Sequence, residues 1–132
     1  MDISSSESYQ IEILIYFSTE DGTGAQLQKI MKQFVSEVQV RIFRNWKVFV
    51  NKLMSPKIKR VIVVVVLSQR EELLDALSIR DIFHEYKLIL ILPDQEEETI
   101  SLGHSLRPNF MTHKMGNFQQ LEMVLEKMLH VD

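Results

Sequence analysis

Cysteine is missing from this chain of 132 residues. Neither a disulfide framework nor a thiolate metal site is open to it, and the fold must stand on packing. A cationic excess is missing as well. The formal net charge is −3, where a general nucleic-acid binder carries a basic surplus, so no nucleic-acid partner is expected. No apolar run approaches the roughly 20 residues that cross a bilayer, and no membrane partner is expected. The opening residues 1–8 (MDISSSES) have neither the basic start nor the apolar stretch of a signal peptide. Cytoplasm is therefore the expected location. The Gly-Lys-Ser/Thr ending of a P-loop occurs nowhere. The four histidines, His84, His104, His113 and His130, sit on separate segments without metal-site spacing, so no metal and no cofactor are expected.

What the chain has in quantity is β-branched apolar sequence. Residues 61–67 (VIVVVVL) are seven apolar residues in a row, six of them β-branched. A half-exposed strand would alternate. This run instead predicts a strand covered on both faces, at the centre of a parallel sheet flanked by helices. Ser68 stands where a helix N-cap belongs, and Glu71 three residues on completes a capping box. That predicts a helix starting at Ser68 with almost no loop. In α/β sheets the carboxyl end of a central strand is where ligands and chemistry collect. Here it carries Val66, Leu67 and Ser68, with no carboxylate, histidine or lysine.

The remaining segments follow in order. Residues 1–9 read as a disordered lead and 10–132 as one domain. Residues 11–17 form a mostly buried strand, and Leu27, Ile30, Met31, Phe34, Val35 and Val38 recur at helical spacing. Val38, Val40 and Ile42 alternate with Gln39 and Arg41, as in an edge strand. Asn45 caps a helix burying Trp46, Phe49, Val50 and Leu53, which Pro56 ends. The helix after the central strand buries Leu73, Leu74 and Leu77 and breaks near residues 78–81. Residues 87–92 (KLILIL) form a second interior strand. Asp94 is the expected cap of a short helix with glutamates 96–98 at its positive end; Gly103 weakens it and Pro108 follows it. Residues 109–114 (NFMTHK) form a fifth, more polar strand. Asn117 with Gln120 opens a last helix burying Phe118, Leu121, Val124, Leu125 and Met128. Five β-α pairs, wet at the second and fifth strands, predict a three-layer, doubly wound α/β fold. Its five-stranded parallel sheet is ordered 2-1-3-4-5, with five helices, in the flavodoxin-like arrangement.

This order of elements resembles the receiver domain of bacterial response regulators. Residues 40–53 (VRIFRNWKVFVNKL) resemble that family's second strand and helix, and residues 110–117 (FMTHKMGN) its fifth strand and following turn. The resemblance implies five site positions, and the chain departs from almost all of them. The acidic pair that holds magnesium is matched by Tyr16-Phe17-Ser18, with Glu20 and Asp21 a few residues late. The phosphoacceptor aspartate is matched by Val65, Val66 or Leu67, and the switch Ser or Thr by Leu92. The lysine closing strand five is matched by His113 or Lys114, followed by Met115 where the family favours proline. The resemblance therefore implies a degenerate, non-phosphorylatable pseudo-receiver. It would be no enzyme and have no catalytic residue, and it would act through a protein partner, a second copy of the chain included. The surface the family uses implies contacts at His104, Met111, His113 and Met123, rimmed by residues 96–98.

A second reading competes for residues 18–24 (STEDGTG), which resemble the phosphate loop of flavodoxins. Ser18, Thr19, Gly22, Thr23 and Gly24 would then hold the phosphate of FMN or another small molecule ahead of a helix. Glu20 and Asp21 oppose a dianion there, and no loop rich in glycine and aromatics follows strand three or four. Lys52, Lys57, Lys59 and Arg60 gather before strand three, at the opposite end of the sheet from residues 94–98. That predicts a charge dipole along the domain, useful for steering a partner.

Overall fold

The chain's apolar runs set its layers. In the computed structural model, which describes residues 10–130, the strands are β1 (Ile11–Tyr16), β2 (Val38–Phe43), β3 (Arg60–Val66), β4 (Lys87–Leu92) and β5 (Phe110–His113). The expected lead at residues 1–9 lies outside the described residues. The sheet order is β2-β1-β3-β4-β5, and every neighbouring pair is parallel. The helices are α1 (Thr23–Met31), continued by a 3-10 turn over Lys32–Phe34, α2 (Trp46–Met54), α3 (Arg70–Leu77), α4 (Arg80–Phe83), α5 (Glu97–His104) and α6 (Phe118–Leu129). This is the doubly wound, flavodoxin-like α/β fold that the pattern predicts.

β3 is central because both of its faces are hydrocarbon. Ile62, Val64 and Val66 join Ile13, Ile15, Ile89 and Ile91 under the layer of α1 and α6. Val63, Val65 and Leu67 join Leu14, Leu88 and Leu90 under the opposite layer, with Phe49 of α2, Leu73 of α3 and Phe83 of α4. Val63, Val64 and Val65 are fully buried. Each such side chain stabilises the fold by about 1.5–3 kcal/mol over leaving it in water.

Three departures from the sequence reading have local causes. The helix does not begin at Ser68. The Leu67 N–H still donates to the Ile91 carbonyl (2.9 Å), which keeps the chain in the sheet past Val66. α3 therefore starts at Arg70, with Gln69 as an N-cap that makes no side-chain bond. Glu72, not Glu71, reaches back, its Oε1 accepting the Ser68 N–H at 2.6 Å. The helices number six among the described residues, not five. Ser78 Oγ donates to the Asp75 carbonyl (2.6 Å) and closes α3, and the four residues of α4 that follow bury Phe83. Leu74 stays 53% exposed, because Leu73 and Ala76 take the inward positions of α3.

Gly103 does more than weaken its helix. A Cβ there would come within 2.7 Å of Met111 Sδ and 3.1 Å of Leu92 Cδ2, so glycine lets α5 lie close on β4 and β5. Glu96 rather than Asp94 is the N-cap of α5, and Asp94 Oδ1 accepts the Glu96 N–H (3.0 Å). Asn45 and Asn117 cap as predicted, accepting the Val48 and Gln119 N–H groups at 3.0 and 2.8 Å.

Candidate functional site

At the carboxyl edge β1 delivers Tyr16 and Phe17 to opposite layers. Tyr16, buried, packs edge-on to Trp46 (centroids 5.1 Å apart) and stacks with Phe49 (5.3 Å). Burial pushes its phenol above the ordinary tyrosine pKa. Phe17 is pressed on Gly24 of α1, where a Cβ would meet its ring at 2.5 Å. The Arg44 guanidinium covers the ring at 4.6 Å. Aromatic rings thus stand at two of the three residues, Tyr16, Phe17 and Ser18, that the receiver resemblance sets against its acidic pair. The ends of β3 and β4 are as closed, with Val66, Leu67 and Leu92 all buried.

The polar groups around this crevice are bonded to one another. Glu72 joins the ends of β1 and β3: Ser18 Oγ donates to its Oε2 at 2.6 Å, and the Ser68 N–H to its Oε1. Asp21 accepts the Thr23 N–H (3.1 Å) and forms an ion pair with Lys114. The Lys114 ammonium is the main reason its carboxyl lies below the ordinary value of 3.8, with burial pulling the other way. Arg44 holds Glu20 at 2.6 Å and also donates to the Phe17 and Ser18 carbonyls. Arg70 clamps α3 to α5, pairing with Glu96 and Glu98 at 2.6 Å each and donating to the buried Thr99 hydroxyl at 3.1 Å.

Glu72, Arg44 and Arg70 escape a reading of the sequence. Apart from the Glu72–Ser68 bond, four residues long, their partners lie 54, 24–27 and 26–29 residues away, beyond the reach of any local pattern. Of the lysine candidates, Lys114 turns toward the crevice. His113, half-buried, lines with Met111, Leu92 and Ile100 a small cavity of about 120 Å³ beside α5.

In the loop at residues 18–24, Gly22 takes a left-handed φ of 96° as the N-cap of α1 and offers no side-chain bond. The Asp21 carboxylate already occupies the first free amide of that helix, where a bound phosphate would sit. Thr23 and Gly24 are buried and Thr19 is exposed. The expected interaction residues divide. Met123 is 64% exposed on α6 and His104 is exposed at the end of α5, whereas Met111 and His113 are half-buried on the edge strand β5. α5 runs back from the carboxyl edge toward the amino edge, so His104 and His113 lie toward opposite ends of that surface.

Among the described residues no three His, Asp or Glu side chains are grouped to hold a metal ion, and no helix is long and apolar enough to cross a membrane. Comparison of the chain with models of known families, with curated sequences and with solved structures gives no match. What is defined is the class of fold, a flavodoxin-like α/β domain with a closed carboxyl crevice.

Proposed function

We propose that the chain is a non-phosphorylatable, receiver-like domain that works in the cytoplasm as a protein-interaction module in signalling or regulation, and not as an enzyme. One observation carries this reading: the crevice where such a fold would do its chemistry is filled. Phosphoryl transfer to an aspartate needs a free carboxylate oxygen in line with the phosphorus and a divalent cation to spread the charge. Here hydrocarbon stands at the acceptor position. Glu20, Asp21 and Glu72 are each tied to an internal partner.

A protein that retains this fold without its chemistry has its surface left to work with. The α5–β5–α6 side, which the receiver resemblance points to, offers an edge strand with unpaired backbone groups and an exposed, adaptable methionine, Met123. Incubation with acetyl phosphate and magnesium should leave the intact mass unchanged. A stable phosphoryl group on Asp21 or Glu20 would refute the first half of the proposal. For the second half, His113→Glu with Met123→Glu should abolish self-association or capture of a partner, read by light scattering and pull-down, while the domain stays folded. Unchanged association would place the interface elsewhere. The FMN reading gains no support from a loop whose own Asp21 sits on the helix amide, and a flavin absorption band in purified protein would reinstate it.

A further inference from the structure

The cations of this domain differ in what holds them. At the carboxyl end Arg44, Arg70 and Lys114 are each paired with a carboxylate. At the amino end an open groove of about 510 Å³ is lined by Lys57, Lys59, Arg60, His84, Lys87 and Arg107. One acid, Glu85, stands in its wall, but it is the Glu85 backbone carbonyl that accepts from Lys57 Nζ (2.6 Å), with the ammonium 4.5 Å from the centre of the Tyr86 ring. Arg60 donates to the Met128 carbonyl at 2.9 Å. Both cations are fixed by neutral carbonyl acceptors rather than by carboxylates. Among the described residues no carboxylate forms an ion pair with Lys57, Arg60, Lys87 or Arg107.

The rim is also set in advance. Arg107 is held at φ 53°, a left-handed conformation that costs a non-glycine residue energy. The turn it begins is pinned on both sides, the Asn109 N–H donating to the Leu88 carbonyl (2.7 Å) and the Leu88 N–H to Asn109 Oδ1 (2.9 Å). A chain of net charge −3 that gathers unneutralised cations in one concavity stores repulsion there, which an anion would relieve. The groove has the volume of a small-molecule site. Two guanidinium forks beside lysine point charges suit phosphate oxygens.

We propose that this groove binds a multiply charged, phosphate-bearing anion carrying a di- or triphosphate group. It would do so at the end of the sheet opposite the one where doubly wound folds customarily hold ligands. The proposal is independent of the pseudo-receiver reading, since it uses none of the crevice residues.

Calorimetric titration of the full chain with inorganic tripolyphosphate tests it. Saturable binding that weakens as salt is raised is expected. Lys87 and Arg107 are exposed, so Lys87→Gln with Arg107→Gln should leave the urea midpoint in place and weaken binding by about tenfold or more. The charge-retaining pair Lys87→Arg with Arg107→Lys should restore it. Lys29→Gln with Lys32→Gln on the α1 side should change nothing. Phosphatidylcholine vesicles with and without a phosphoinositide separate the two sources of such a group. Phosphoinositide-dependent recruitment, lost in the Gln pair, identifies a lipid headgroup, and its absence beside tight tripolyphosphate binding identifies a free phosphate compound. No saturable heat, or binding that survives the Gln pair, overturns the proposal. Poly-glutamate binding as tightly as tripolyphosphate overturns the phosphate assignment in favour of an acidic peptide.

Discussion

Gly24→Ala pits two effects of opposite sign against each other. On helix propensity alone, alanine in place of glycine stabilises by up to about 0.5–1 kcal/mol. The packing at Gly24 argues the reverse. An added Cβ meets three atoms of the Phe17 ring at 2.5, 2.7 and 2.8 Å, well inside contact distance. The ring cannot simply retreat, being 3% exposed with the Arg44 guanidinium 4.6 Å from its centre. Overpacking of this kind costs about 1–3 kcal/mol, and disturbing the cation–π contact about 0.5–1 kcal/mol more. The cation–π loss and the propensity gain roughly cancel, so a net loss of about 1–3 kcal/mol is expected. Urea denaturation should show it as a lower midpoint at unchanged slope. In a Phe17→Leu background the clash is gone, so the same substitution should cost far less, with a coupling of about 1 kcal/mol between the two sites. If Gly24→Ala stabilises the otherwise unchanged chain, the account of why glycine stands there is wrong.

Val64, fully buried between β1 and β4, should cost about 2–3 kcal/mol on truncation to alanine; a loss under about 1 kcal/mol in chemical denaturation would remove β3 from the centre of the core. Lys114→Met removes the main cause of the depressed Asp21 pKa. The folded value lies below the unfolded one, so the pair's stabilisation is complete above the ordinary aspartate range and is lost as pH falls through the folded pKa. The wild type should therefore exceed the variant by about 0.5 kcal/mol near neutrality, a solvent-screened pair. The gap should close as pH falls below the ordinary aspartate range in urea titrations at stepped pH, and a gap constant with pH would mean that the ion pair is not its source.

Features written within a few residues of one another could be read directly from the sequence. The uninterrupted run at residues 61–67 and its shorter companion at 87–92 mark strands dry on both faces, and set against the wet second and fifth strands they give the sheet order. Asn45 and Asn117 announce helix starts because a cap and its amide lie two or three positions apart. Ser68 looks like a third case and is not, since a backbone bond from Leu67 to the neighbouring strand delays the helix. Ile42 alternates correctly yet stays 40% exposed, as an edge position can. The crevice was legible only as an absence of reactive side chains. What fills the absence was not, because the Asp21–Lys114 pair spans 93 residues and exists only once β1 and β5 lie in one sheet. The basic groove divides the same way: Lys57, Lys59 and Arg60 show as a cluster, while Lys87 and Arg107 join them only through the fold.

The strand order also sets a timetable for synthesis. After β1 has taken β2 on one side and β3 on the other, β4 and β5 are added to the same advancing edge in the order in which a ribosome makes them. β1 is closed early. β3, the most aggregation-prone segment by composition, must wait with residues 62–66 unpaired on one side until β4 has left the exit tunnel. The stretch that emerges in that interval, residues 68–86, is rich in charge and carries α3 and α4, a polar escort following directly on a sticky strand. A nascent chain held with residues 60–86 outside the exit tunnel and residue 87 still within it would be at its most adhesive point. Once released and complete, the same strand is flanked on both sides and has no free edge to offer.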